Sequence, residues 1–90
     1  MPRYFFNTVD GHVDFDGVGK ELPDVAAVRD FAVSYAGSIV SDEPGLVGSP
    51  NGFRVNVVDQ DRNPVLTVLT VVLDPLDAET AGDQHTPRLR

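Results

Sequence analysis

Apolar residues in this chain change their spacing twice. From Val25 onward, Val25, Val28, Ala32, Tyr35, Ala36 and Ile39 recur at helical intervals and form one stripe. On both sides of that stretch the spacing has period two, which belongs to strands. Such a chain holds one helix between two β segments, and the order β-β-α-β-β follows. Glu21-Leu22-Pro23-Asp24 opens the helix, since Pro presets φ and Asp24 can cap the free amides. Asp42-Glu43-Pro44-Gly45 closes it, so the helix is expected over 24–41.

Each β segment reads as a hairpin. Arg3–Val9 is rich in aromatic and β-branched residues, and Asp10-Gly11 favours a tight turn. His12-Val13-Asp14-Phe15-Asp16 then alternates, which points Val13 and Phe15 inward and the polar three outward. Residues 43–52 carry five Gly or Pro and read as a flexible loop. Phe53, Val55 and Val57 mark the inner face of a third strand, and Asp59–Pro64 a turn in which Asn63 can take the left-handed conformation. The fourth strand, Val65–Leu73, is apolar on both faces, with Val65, Leu69, Val71 and Leu73 on one side and Leu66, Val68 and Val72 on the other. The expected fold is therefore α+β, one antiparallel sheet of two hairpins with a single helix packed on one face. Residues 1–74 form one domain, and the polar, aperiodic residues 75–90 read as a disordered tail.

One helix covers one face only. Tyr4, Phe5 and Phe6 are consecutive aromatics, so with Leu66, Val68 and Val72 they leave an apolar surface without a cover. Tyr4, Phe6, Leu66, Val68 and Val72 are accordingly the expected interaction residues, with a second copy or another protein as partner.

The 90 residues carry 14 Asp plus Glu against seven Lys plus Arg, a net charge of −7. The seven cations form no run, which argues against nucleic acid and anionic membranes as partners. No cysteine is present, so thiol chemistry and Cys-based zinc sites are excluded. The start MPRYFF lacks the pattern of a signal peptide, and the apolar run 65–73 is less than half a membrane span. A soluble cytoplasmic protein is expected.

Three acids and a histidine stand close together in DGHVDFDG, residues 10–17. As an EF-hand loop with Gly17 at position 6, it would place His12 at position 1 and Pro23 at position 12, both wrong for calcium. A divalent metal or cationic ligand at His12, Asp14 and Asp16 is the alternative reading; the solvated side of a strand is the plainer one. Acid–base catalysis by Asp10, Asp14 or Asp16 needs a partly apolar pocket that a domain of this size hardly offers. Ser34, Ser38, Ser41 and Ser49 lie in no nucleophile motif, and Gly17-Val18-Gly19 lacks the third glycine and lysine of a phosphate loop. The expectation is a non-catalytic interaction module without cofactors, homodimeric through its sheet or by strand addition at an edge.

The opening MPRYFF, the Asp-Gly pairs, ELPD before an Ala-rich helix, and FRVNVVD followed by PVLTV resemble a small bacterial family of unknown function. That family is frequent as short chains in alphaproteobacteria, and the resemblance covers about residues 1–70. It implies a compact β-β-α-β-β domain and no assigned catalytic residue. This chain departs from the family pattern at Arg62, where glycine is common in the turn, and in its longer C-terminal tail.

Overall fold

In the computed structural model, which describes residues 1–48 and 51–73, one antiparallel sheet carries a single helix on one face. The strands are β1 (Arg3–Val9), β2 (Val13–Asp14), β3 (Lys20–Glu21), β4 (Phe53–Asp59) and β5 (Pro64–Thr70), and the helix is α1 (Val25–Asp42). The sheet order is β2-β1-β4-β5, with β3 also paired to β1. Because β4 occupies one side of β1 along Tyr4–Val9, β2 and β3 share the other side. The second strand expected over His12–Asp16 is thus shortened to Val13–Asp14, and Lys20–Glu21, at the start of the expected helix entry, forms a further short strand. The expected tail over 75–90 lies outside the described residues.

Helix α1 begins where the sequence says it should. The Asp24 carboxylate accepts the Ala27 N–H at 2.9 Å, and the Glu43 N–H closes the last turn on the Ile39 carbonyl at 2.9 Å. Val28, Ala32 and Ala36 are fully buried, and the two alanines let the helix sit close to the sheet. Phe31, Tyr35, Ile39 and Val40 pack around them, while Val25 and Val33 are exposed. Val25 therefore drops out of the expected stripe. The segment after the helix is not wholly loop: a 3-10 turn over Pro44–Gly48 places Leu46 and Val47 against the core.

Register assigns the faces. Tyr4 and Phe6 stand opposite Asp59 and Val57, and Val55 and Val57 stand opposite Val68 and Leu66. The apolar residues among these face the helix. Phe53, Val28, Val55 and Val57 are fully buried, each contributing about 1.5–3 kcal/mol by burial. Phe6 meets the Phe31 ring edge-on at 4.9 Å, and Phe31 stacks on Tyr35 at 5.9 Å. Lys20, opposite Tyr4 on the helix face, lays its ammonium 5.1 Å from the Phe31 ring centre.

The open face carries Phe5, Asn7 and Val9 of β1, Arg54, Asn56 and Val58 of β4, and Thr67 and Leu69 of β5. Its middle is polar, with the Thr67 hydroxyl donating to Asn56 Oδ1 at 3.0 Å. This corrects the expected uncovered surface. Tyr4 and Phe6 are core residues at 8 % and 4 % exposure, and Leu66 and Val68 are half-buried under the helix layer. Val72 lies beyond the end of β5 and is exposed.

Candidate functional site

The two sheet edges and the acidic loop are where the sheet's backbone groups and several apolar side chains meet solvent. At the first edge, β2 pairs with Thr8 and Val9, and β3 with Arg3 and Tyr4, leaving the middle of β1 without a strand partner on this side. Asp16 fills that gap. Its Oδ2 accepts the Phe6 N–H at 3.1 Å, and its Oδ1 accepts the N–H groups of Val18 and Gly19 at 2.9 and 3.0 Å. Its own N–H donates to Oδ1 of the buried Asn7 at 2.9 Å, and the Arg3 guanidinium ties down the Val18 carbonyl at 2.8 Å. Burial raises the Asp16 pKa, but the three backbone donors and Arg3 outweigh it and hold the carboxyl below its ordinary value.

Gly19 makes this close approach feasible. It has φ +77°, and a Cβ there would stand 2.9 Å from the Tyr4 carbonyl oxygen and 2.8 Å from the Phe5 ring. Around this locked turn the apolar side chains point out. Val13 stands opposite Val9 on the open face, and Phe15 and Val18 are 76 % and 77 % exposed. The inward placement expected for Val13 and Phe15 is therefore corrected: one residue's parity puts Val13 away from the helix, and the chain leaves the ladder before Phe15.

The three residues of the metal reading do not come together. His12 is exposed, with Nδ1 3.5 Å from Asp10 and Nε2 3.8 Å from Asp14. Asp16 is turned away toward β1, its oxygens occupied by backbone N–H groups. Among the described residues there is no group of three or more His, Cys, Asp or Glu placed to hold a metal ion, and no enclosed pocket.

At the other edge β5 is the outermost strand, and among the described residues no strand pairs with its outer side. Its position is set by the turn before it. Asp59 Oδ1 accepts the N–H groups of Asp61 and Asn63, both at 2.9 Å, and the Asp59 N–H donates to the Asn63 carbonyl at 3.0 Å. The backbone N–H of Asn63, and with it burial opposing and the N–H of Asp61 assisting, leaves the Asp59 carboxyl below its ordinary value. The left-handed residue of this turn is Arg62 at φ +71°, not Asn63, whose backbone and amide are committed to Asp59. At the far end, Gly52 at φ +72° passes so close that a Cβ would lie 2.6 Å from the Thr70 carbonyl oxygen.

Between these two fixtures, β5 runs seven residues, PVLTVLT, without a charge. Leu69 is 52 % exposed on the open face, and Val71, Val72 and Leu73 continue the apolar strip past the strand. Of the expected interaction residues, Leu66, Val68 and Val72 lie on or beside this edge and Tyr4 and Phe6 do not. Thr67 and Leu69, central to the edge, were not singled out from the sequence; the lack of charge from Asn63 to Leu73 was the available sign. No helix among the described residues is long and apolar enough to cross a membrane.

The features above define a small α+β domain with one closed sheet edge and one open one. The chain belongs to the family described as a domain of unknown function, DUF6894, whose match runs over residues 3–71. No curated protein and no solved structure matches it.

Proposed function

We propose that the domain works by binding protein rather than by catalysis, and that it takes an extended segment along the outer side of β5. The observation that carries this reading is the state of that edge. Seven residues of strand, uncharged and rich in β-branched and apolar side chains, end the sheet with their outward N–H and C=O groups unpaired by any described strand. Edge strands are commonly blunted by lysine, a central proline, a short length or an inward charge, and β5 has none of these; its one proline is its first residue. Strand addition supplies main-chain hydrogen bonds, and Leu69 with Val71 offers an apolar rail on the open face for alternate side chains of the guest.

A displayed library of extended peptides, selected on the full chain, tests this. The reading expects enrichment of uncharged, β-branched sequences whose binding is lost in Thr67→Lys and kept in Phe15→Ser. Selection that enriches nothing, or binders indifferent to Thr67→Lys, would contradict it.

A further inference from the structure

Resting on the reading of β5 as a docking edge, we infer that its occupant is β5 of a second copy, paired antiparallel about Thr67, so that two chains share one continuous sheet. The first support is closure. A strand edge that adds copies without limit needs a second free edge on each copy, and here that second edge is broken by the Asp16 turn. With one open edge per chain, a two-fold pairing satisfies both copies and stops.

The second support is the strand's own pattern. Centred on Thr67, an antiparallel pair sets Thr67 of one copy opposite Thr67 of the other and Leu66 opposite Val68 on either side of it, within the part of β5 that lies clear of the irregularity at Val65. On the helix face apolar side chains meet apolar side chains, and on the open face the two threonines stand opposite each other. The parity is also correct: Leu66 and Val68 both belong to the helix face, so the helices of the two copies lie on the same side of the joined sheet. Leu66 and Val68 are only half-buried in the single chain although they pack on its core, and this pairing places them in the seam between two cores.

The third support is charge. The protein carries −7, yet Asn63 to Leu73 carries none, so like charges are absent from the line of contact. A guest chosen for its own charge would find no counter-charge on the strand itself. Repulsion between two acidic bodies remains at longer range, and salt screens it. Raising the ionic strength therefore tightens this dimer, whereas it weakens a complex held by opposite charges.

Sedimentation equilibrium of the full chain from micromolar to millimolar concentration, at low and high salt, provides the test, together with mild oxidation of Thr67→Cys. Directly opposed residues in an antiparallel pair have Cβ atoms about 4.5–5.5 Å apart, close enough for a disulfide after a small adjustment. The expected result is a monomer–dimer equilibrium that strengthens with salt, a disulfide-linked dimer of Thr67→Cys, and a dissociation constant at least about tenfold weaker in Thr67→Lys. Thr67 is exposed, so Thr67→Lys should keep the wild-type circular dichroism. A chain that stays monomeric, a dimer unaffected by Thr67→Lys, or species that grow beyond the dimer would overturn the inference. The peptide selection described above decides separately whether β5 docks other segments.

Discussion

The sheet ends in two ways. Beside β1 the outermost strand is two pieces of two residues each, with a carboxylate set between them; beside β4 it is seven unbroken residues with no charge. Both edges start from the same backbone groups, and the difference comes from the Asp16 carboxylate and the left-handed Gly19 that lets its turn lie close to β1. At the first edge Asp16 substitutes for the missing strand and takes the Phe6 N–H itself, which removes that donor from any incoming chain. At the second nothing among the described residues performs this task. An antiparallel sheet can thus be made one-sided by a single well-placed acid, at the cost of a kinked chain and a displayed Phe15.

The two edges become most alike if Asp16 is removed. Asp16→Ala leaves the N–H groups of Phe6, Val18 and Gly19 without their acceptor, which should lower stability by about 2–4 kcal/mol in chemical denaturation. It also reopens the first edge, so light scattering should show species larger than those of the wild type. Unchanged stability and size would mean that the turn holds without its carboxylate.

The second edge depends on Gly52 as the first depends on Gly19. Gly52→Ala puts a methyl group against the Thr70 carbonyl in a left-handed conformation, with an expected loss of about 2 kcal/mol or more in thermal unfolding. Because the clash is at the end of β5, the loss should be accompanied by faster amide exchange at Leu69 and Thr70, while the Asp16 turn stays protected.

Acid sharpens the contrast further. The folded-state pKa of Asp16 lies below the ordinary value of 3.8, so its contribution is fully present above the unfolded value and is lost as pH falls through the folded one. The stability gap between wild type and Asp16→Asn should therefore be constant from neutrality down to about pH 4 and narrow below it. A gap that persists unchanged at low pH would show that Asp16 acts by shape and not by charge. The smallest effect is expected at Arg62. Relieving its positive φ with Arg62→Gly should stabilise the chain by about 0.5–1 kcal/mol, after the added entropy of glycine in the unfolded state is subtracted.

The helix was legible because period, cap and stop agree: the stripe from Val28, the Asp24 carboxylate and Pro44 all point to one element, found one residue from its expected bounds. The strands were expected as four and are five, since Val13–Asp14 and Lys20–Glu21 pair with β1 separately on either side of the Asp16 turn. Faces were less legible. In β5 both parities are apolar, so hydrophobicity cannot choose between them; the Asp59 turn and the irregularity at Val57 and Val58 fix the register, and they bring Leu66 and Val68 under the helix. The alternation of His12 to Asp16 likewise suggested a continuous strand. There the local chemistry of Asp16-Gly17-Val18-Gly19 prevails, since a carboxylate two and three residues before free N–H groups makes a turn of its own. The same Asp16 looked like a ligand in the sequence because acid spacing alone does not reveal which oxygens are already bound.

The one-sidedness of the sheet can be read residue by residue from amide chemical shifts as the concentration of the full chain is raised. Concentration-dependent shifts and slowed exchange are expected along Val65–Leu69, with Phe15–Lys20 unmoved. Shifts at Phe15–Lys20 in place of β5, or none at any concentration, would contradict it.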